Sequence, residues 1–311
     1  MDPATVARFE ANRTRLASLA YRLLGSAADA EDAVQDTFLR WQAADRERID
    51  VPEAWLTKVV TNLALDRLRS ARMRHERAAG DWLPEPLLDG DPMLGPADTA
   101  EQRESVTLAV LLLMERLSPV ERAVYVLREA FAYSHAEIAE ILDITESASQ
   151  QHAHRARRRV ATGRGAGEIT GAAARRVVEA FVDAASSGRT ERLVALLTAD
   201  ATAISDGAGP AGKILRFSTP ERIAAVLRGA FKPTPAKRRL AGGALAMYAG
   251  VINGSPAVIA ALPDRVVGVV VLEVRSGKVA AVRAIAAPDR LARLTLQWRR
   301  REHTDPLIAS W

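Results

Sequence analysis

The chain has no cysteine among its 311 residues. Disulfides and thiolate metal centres are therefore excluded, and the composition suits a reducing compartment. Histidine is scarce too. Of the five present, only His152 and His154 are neighbours, and two residues apart on a helix they point to different faces, which argues against a metal pair. Long apolar runs are missing: no stretch approaches the roughly eighteen apolar residues that a spanning helix needs. The first residues carry no basic-plus-apolar leader. The sequence thus predicts neither a membrane span nor secretion, and the expected location is the cytoplasm. No internal repeat is visible.

What is present fits a folded chain of two or three domains, with 48% hydrophobic residues. Net charge is +5 and the pI about 9.9, a balance that favours a polyanionic partner. The positive charge concentrates in Arg67–Arg77 and Arg155–Arg164, as discrete nucleic-acid footprints would.

The segment from Tyr133 to Val160 is the most informative. Ser134 and Glu137 form a capping box, and Ile138, Ile141 and Leu142 follow at helical spacing. Asp143 to Thr145 is a polar break. Thr145 can cap a second helix whose Ala148, Ala153 and Ala156 permit close packing. Its other faces carry Gln150, Gln151, His154, Arg155, Arg157, Arg158 and Arg159, side chains suited to base edges and phosphates in a major groove. An ordinary helical hairpin with a solvated basic face shares this pattern.

Residues 3 to about 78 read as all helix. One helix, started by Ser26 or Asp29, buries Ala30, Val34, Phe38 and Trp41 and shows Asp29, Glu31, Asp32, Gln35 and Asp36 outside. Pro52 opens another to about Arg72, with Trp55, Leu56, Val59, Val60, Leu63, Leu65 and Leu68 as core and a basic far end. Residues 79–100 are rich in Pro and Gly, which predicts a linker whose apolar clusters dock. Helices are expected at about 101–116 and from the Ser118 capping box to about Phe131. Gly163 to Gly167 marks a second boundary. Beyond it come helices at 172–187, 190–197 and 219–231, a strand at 199–205 and a turn at 206–210. Two hairpins follow, 244–252 with 256–262 across Asn253-Gly254, and 266–274 with 279–286 across Arg275 to Lys278. That order predicts an α+β domain with helices on one face of a curled antiparallel meander.

Asp29 to Trp41 resembles the region 2.1–2.2 signature of the extracytoplasmic-function class of bacterial sigma factors. Glu53 to Arg69 resembles regions 2.3–2.4, and Leu117 to Phe131 with the helix-turn-helix resembles region 4. Trp82-Leu-Pro-Glu-Pro-Leu87 is the mark of a subfamily with a C-terminal SnoaL-like extension of the cone-shaped NTF2-like fold. Where that subfamily shows Asp-Gly-Gly-Gly-Lys, this chain has Asp206-Gly-Ala-Gly-Pro-Ala-Gly-Lys213; where it shows Asn-Pro-Asp-Lys-Leu, this chain has Ala287-Pro-Asp-Arg-Leu291.

The resemblance implies a multidomain chain: two all-α sigma domains, a region 2 helical bundle (1–78) and a region 4 helix-turn-helix (101–162), joined by the linker (79–100). An α+β SnoaL/NTF2-like cone (170–296) and a tail (297–311) follow. It implies a detachable specificity subunit whose partners are core RNA polymerase, at its clamp and flap, and promoter DNA. Asp29, Glu31, Asp32, Gln35 and Asp36 would meet the clamp. Asn62, Arg67, Arg69, Arg72, Arg74, His75 and Arg77 would hold the melted −10 element. Ser147, Gln150, Gln151, His154, Arg155, Arg157 and Arg158 would meet the −35 element, with Gln150, Gln151, His154 and Arg155 near base edges and Arg157 to Arg159 on phosphate. Trp82, Leu83, Pro84, Glu85, Pro86 and Leu87, with Asp206, Gly207 and Gly209 and with Pro288, Asp289, Arg290 and Leu291, are expected to carry regulation between domains. No metal or cofactor is expected. The cone offers Asp200, Asp206, Asp264 and Glu273, but its one histidine, His303, lies in the tail, so a regulatory or ligand-sensing role is expected over catalysis, with any small-molecule ligand left open. Two other readings compete, a ligand-responsive helix-turn-helix repressor and a SnoaL-like enzyme tethered to DNA. The acidic-helix and basic-helix pair argues against the first, and the missing histidine against the second.

Overall fold

The computed structural model describes residues 3–73, 83–95, 102, 104–161, 171–207 and 214–311, without the side chains of 71–73 and 171. The chain forms two compact units, Met1–Glu85 with Gly90–Arg164, and Pro86–Asp89 with Gly165–Trp311.

The described part of the first unit is helical. α1 (Pro3–Leu24), α2 (Ala27–Ala43) and α3 (Pro52–Met73) close a bundle around Phe9, Leu16, Leu23, Trp41, Leu56 and Val60. Trp41 donates its ring N–H to the Thr5 carbonyl at 3.1 Å and packs at 5.6 Å on Trp55, so both act as core. The helix expected at 101–116 is interrupted: Gln102 and Glu104 are helical, a turn spans 105–107, and the chain resumes as α4 (Leu108–Met114). Thr107 adopts an extended conformation and its hydroxyl accepts from Val110 N, which sets the start late. α5 (Pro119–Phe131) and α6 (His135–Leu142) both begin with full capping boxes. Asp143, left-handed at φ 53°, ends α6, and Thr145 caps α7 (Glu146–Val160). Arg22 is buried against neutral oxygens. Its Nε reaches Ser105 Oγ at 2.9 Å and one Nη the Leu94 carbonyl at 2.7 Å, tying the stretch after the linker to α1. Burial lowers its pKa to about 10, so it stays charged at neutral pH.

The second unit begins with α8 (Gly171–Ser186) and α9 (Thr190–Leu196). A six-stranded sheet follows: β1 (Leu197–Ser205), β2 (Leu215–Phe217), β3 (Ala246–Ile252), β4 (Ser255–Ala261), β5 (Val266–Arg275) and β6 (Lys278–Ile285), in the order β2-β1-β6-β5-β4-β3. Only β1 and β6 run parallel; every other pairing is antiparallel. α10 (Pro220–Phe231) and α11 (Pro235–Ala241) complete the helices before β3. Phe181, Leu193, Ile223 and Phe231 from the helices pack on Met247, Val258, Leu272 and Val282 of the sheet. The Asn253-Gly254 turn has φ of 50° and 73°, the left-handed pair that a tight hairpin requires.

Three features differ from expectation. α11 and the short β2 were not foreseen. Neither was α12 (Pro288–Trp298), whose first turn is Pro288 to Leu291, with Leu291 buried. The 297–311 tail is an ordered strap. Met247 N donates to Ile308 O at 2.8 Å, Leu307 N to Met247 O at 2.7 Å, and the Trp311 ring to Phe231 O at 2.7 Å. Charge along the tail conceals one large apolar anchor at its end, and burying that ring outweighs solvating its neighbours.

Candidate nucleic-acid and polymerase interface

α7 is sorted by its own sequence. Ser149, Ala153, Ala156 and Val160 are buried, and the small residues let the helix lie close to α5 and α6. Ser147, Gln150, Gln151, His154, Arg155, Arg157, Arg158 and Arg159 are exposed. The arginines are not equivalent. Glu121, buried on α5, accepts from Arg155 at 3.2 Å and from Arg159 at 2.7 Å, while Glu129 accepts from Arg157 at 2.7 Å. Burial raises the Glu121 pKa, but the Ser118 amide and hydroxyl and the two arginines lower it by more, so it remains ionised. Arg155 also lies 2.9 Å from His152 Nδ1, and burial followed by the Arg155 charge holds that imidazole below its usual value. Gln150, Gln151, His154 and Arg158 have no partner among the described residues. They form the uncommitted part of the helix.

On α2, Ser26 caps the N-terminus by accepting from Asp29 N at 3.2 Å. Glu31, Asp32 and Gln35 are exposed, and Asp29 and Asp36 are half-buried. Asp36 pairs with Arg67 of α3 at 2.8 Å, and the same guanidinium lies 3.4 Å from the Asp29 carbonyl. One acid of the expected polymerase face and one cation of the expected promoter set thus neutralise each other. Arg69 lies 3.3 Å from Asp66, and Asn62 is half-buried. The Arg72 side chain, and Arg74, His75 and Arg77 entirely, lie outside the described residues. Leu39, one helical turn beyond Asp36 on the same face as Asp32 and Gln35, is 53% exposed. Sequence reasoning passed over it because a single leucine outside the apolar stripe carries no periodic signal.

The helix-turn-helix docks on the bundle within the same unit. Lys58 of α3 reaches Asp143 at 2.8 Å and the Glu140 carbonyl at 2.9 Å. Arg15 donates to the Tyr133 hydroxyl and, at 3.0 Å, to Thr57 Oγ1.

The family model for Sigma-70 region 2 matches residues 8–74, and that for Sigma-70, region 4 matches residues 107–160. The ECF RNA polymerase sigma factor SigJ of Mycobacterium tuberculosis is 37% identical over 96% of this chain and 97% of its own length. The chain belongs to the ECF RNA polymerase sigma factors. A probable ECF sigma factor of the same species, SigI, is 33% identical over 93% of this chain and 95% of its own. The crystal structure of SigJ superposes with a TM-score of 0.67 at 33% identity, covering 92% of this chain and 98% of that one. As a sigma factor, the chain binds core RNA polymerase and promoter DNA and directs transcription initiation. No described helix is long and apolar enough to cross a membrane.

In this sigma factor the linker serves both units. Leu83, Pro84 and Glu85 belong to the first. Glu85 N donates to Gly25 O at 2.9 Å, and the Glu85 carboxylate accepts from Ala27 N at 2.7 Å and Ser26 Oγ at 3.1 Å, at the N-terminus of α2. Desolvation raises its pKa against those hydrogen bonds. Pro86 and Leu87 belong to the second unit. Leu87 N donates to Asn253 Oδ1 at 2.8 Å, Asn253 N returns to Leu87 O at 2.9 Å, and Leu88 pairs with Ile252. Trp82 and Gly209 lie outside the described residues. Asp206 is buried and accepts from Ala286 N and Ala287 N, both at 2.9 Å, with Arg290 at 3.9 Å. Asp206 and the segment Ala287 to Leu291 therefore meet at the start of α12, with Gly207 and Asp289 exposed beside them.

Proposed function

We propose that this sigma factor meets the polymerase clamp through the α2 face, with Leu39 as an apolar contact among Asp29, Glu31, Asp32, Gln35 and Asp36. Asn62, Arg67, Arg69, Arg72, Arg74, His75 and Arg77 hold the −10 strand. Ser147, Gln150, Gln151, His154, Arg155, Arg157 and Arg158 meet the −35 element. The observation that supports the α2 assignment is the exposed Asp32-Gln35-Leu39 row, since interface cores combine an apolar anchor with flanking polar groups. Asp32→Lys with Leu39→Ala is expected to weaken binding to core polymerase at least tenfold, with melting temperature unchanged. Undiminished affinity in a core-binding titration removes that role from α2.

The C-terminal domain works as a regulator and not as an enzyme, and the protein acts in the cytoplasm. The four acids singled out there are each paired: Asp200 with Arg275 at 2.6 Å, Asp264 with Arg265 at 3.6 Å, Glu273 with Arg283 at 3.0 Å, and Asp206 with the α12 start. A pocket of about 320 Å³ between α8 and the β5–β6 turn is lined by Val177, Phe181, Val274 and Val279, and Arg176 is its one titratable group. General acid–base work needs a positioned pair, and this pocket holds none. Control by the domain is supported by the linker: Glu85, which caps the polymerase-facing helix, is two residues from Leu87, which is paired to the β3–β4 turn. Ending the chain after Gly167 is expected to change transcription output strongly. Equal output from both forms, across promoters and salt concentrations, overturns regulation by this domain.

A further inference from the structure

The C-terminal unit carries a cationic surface distinct from the two arginine clusters of the sigma regions. Residues 214–241, ending with α10 and α11, hold seven basic side chains and one acid, Glu221. Two of the seven serve the fold. Lys237 donates to the Gly229, Ala230 and Lys232 carbonyls at the end of α10, and Arg238 reaches the Trp311 carbonyl at 3.0 Å. Arg222, Arg228, Lys232 and Arg239 are exposed and have no hydrogen-bond or ionic partner among the described residues. Exposed cations on helices ordinarily gain from an acid three or four residues away, and α10 supplies none to Arg228.

The local field is positive for a second reason. A helix C-terminus presents bare carbonyls and a negative dipole end, which repels anions. Here the Lys237 ammonium covers those carbonyls, so the end of α10 loses its negative character. The cations also sit close enough to feel one another: burial, and then the Lys232 charge, hold Lys237 below the usual lysine value. Gly229 lies on the exposed side of this last turn. An added Cβ there would meet nothing within 4 Å, so packing does not explain a glycine in a helix that alanine would favour.

We propose that the α10–α11 surface grips the phosphate backbone of promoter DNA, adding a sequence-independent contact from the C-terminal domain. The inference rests on the chain being a sigma factor, which brings duplex DNA to it at work. Polyanionic DNA is favoured over an acidic protein because protein interfaces centre on buried aromatic or apolar anchors. Here Leu240 and Val226 stand as single exposed residues among separated cations.

The test uses holoenzyme assembled from core polymerase and the full chain. Its affinity for promoter duplex with flanking upstream DNA is followed by fluorescence anisotropy from about 50 to about 200 mM salt. Arg228→Gln, Lys232→Gln and Arg239→Gln together remove three phosphate contacts. The slope of log affinity against log salt is expected to fall by about 2.7, so that wild type loses roughly 40-fold more affinity than the variant across that range. The loss is expected to be equal on cognate and scrambled duplexes. Arg228→Lys with Arg239→Lys is expected to keep the wild-type slope, since phosphate contacts count charge more than shape; this also controls for folding. An unchanged slope in the glutamine variant overturns the proposal. So does unchanged DNA binding with weakened affinity for core polymerase, which assigns the surface to an acidic protein face. If wild type forms no holoenzyme, it is the sigma reading that fails.

Discussion

At the scale of single residues, the recognition helix divides by what its side chains already touch. Arg155 and Arg159 share Glu121, and Arg157 is held by Glu129. To reach DNA these guanidinium groups must stretch from or leave a carboxylate, and for Arg155 and Arg159 that carboxylate is buried and ionised. Gln150 and Arg158 face no such competition. Gln150→Ala is expected to lose about 1–3 kcal/mol of discrimination at one base pair of the −35 element and little on scrambled DNA. Arg158→Ala is expected to weaken all sequences alike and lower the salt slope by about 0.9. Binding of both variants to a panel of promoter duplexes separates the two effects, and matching profiles would show the division to be wrong. The residue types of α7 were legible because polar and basic side chains interrupt an alanine stripe. The pairing of three arginines with α5 was not, because Glu121 and Glu129 lie a full helix away in sequence.

At the scale of elements, capping explains most of what could be read. Ser118 with Glu121, Ser134 with Glu137, and Thr145 are local signals, and each marks a real helix start. Asn253-Gly254 marks a real hairpin for the same reason. What escaped depends on contacts remote in sequence. The 297–311 strap is held by Met247, Leu245 and Phe231, and Asp206 closes on α12 some eighty residues later. Glu85 is a further case, a linker carboxylate serving as the acceptor at the start of α2. Its raised pKa means that the folded protein holds this proton to higher pH than the unfolded chain does. The associated stability is full below the ordinary glutamate value and is lost as pH rises through the raised one. Glu85→Gln keeps an acceptor for Ala27 N and has no charge to bury. Its melting temperature is therefore expected to gain on that of wild type as pH rises from the ordinary glutamate value through the raised one. Parallel melting curves across that window would remove Glu85 as a titrating cap.

At the scale of the whole molecule, the two promoter elements set a distance that the closed first unit does not meet. Elements at positions −10 and −35 are about 25 base pairs apart, which at 3.4 Å per base pair is about 85 Å along the duplex. Yet Lys58, on the helix assigned to the −10 strand, touches Asp143 in the turn of the helix-turn-helix. If α3 holds the −10 strand and α7 the −35 element, as proposed, both can be held at once only when this docking opens. The polar contacts at the turn are partly exposed: Lys58 with Asp143 and the Glu140 carbonyl, and Arg15 and Thr57 with the Tyr133 hydroxyl; packing of α5 and α6 on α1 and α3, with Arg15 and Arg22 over Phe131, adds to them. An exposed ion pair contributes at most about 1 kcal/mol, and a hydroxyl hydrogen bond about the same. Removing both, as Lys58→Ala with Tyr133→Phe, is expected to shift the closed–open balance by about 5–30-fold. Dyes placed on α3 and α7 report that shift as reduced energy transfer in the free protein. Binding to core polymerase is expected to lower the transfer of wild type toward the level of the double variant, because the polymerase favours the open form. Energy transfer that is the same in free wild type, in the free variant and in the polymerase-bound protein would mean that the two regions stay docked, and that the promoter, not the protein, must bend to meet them.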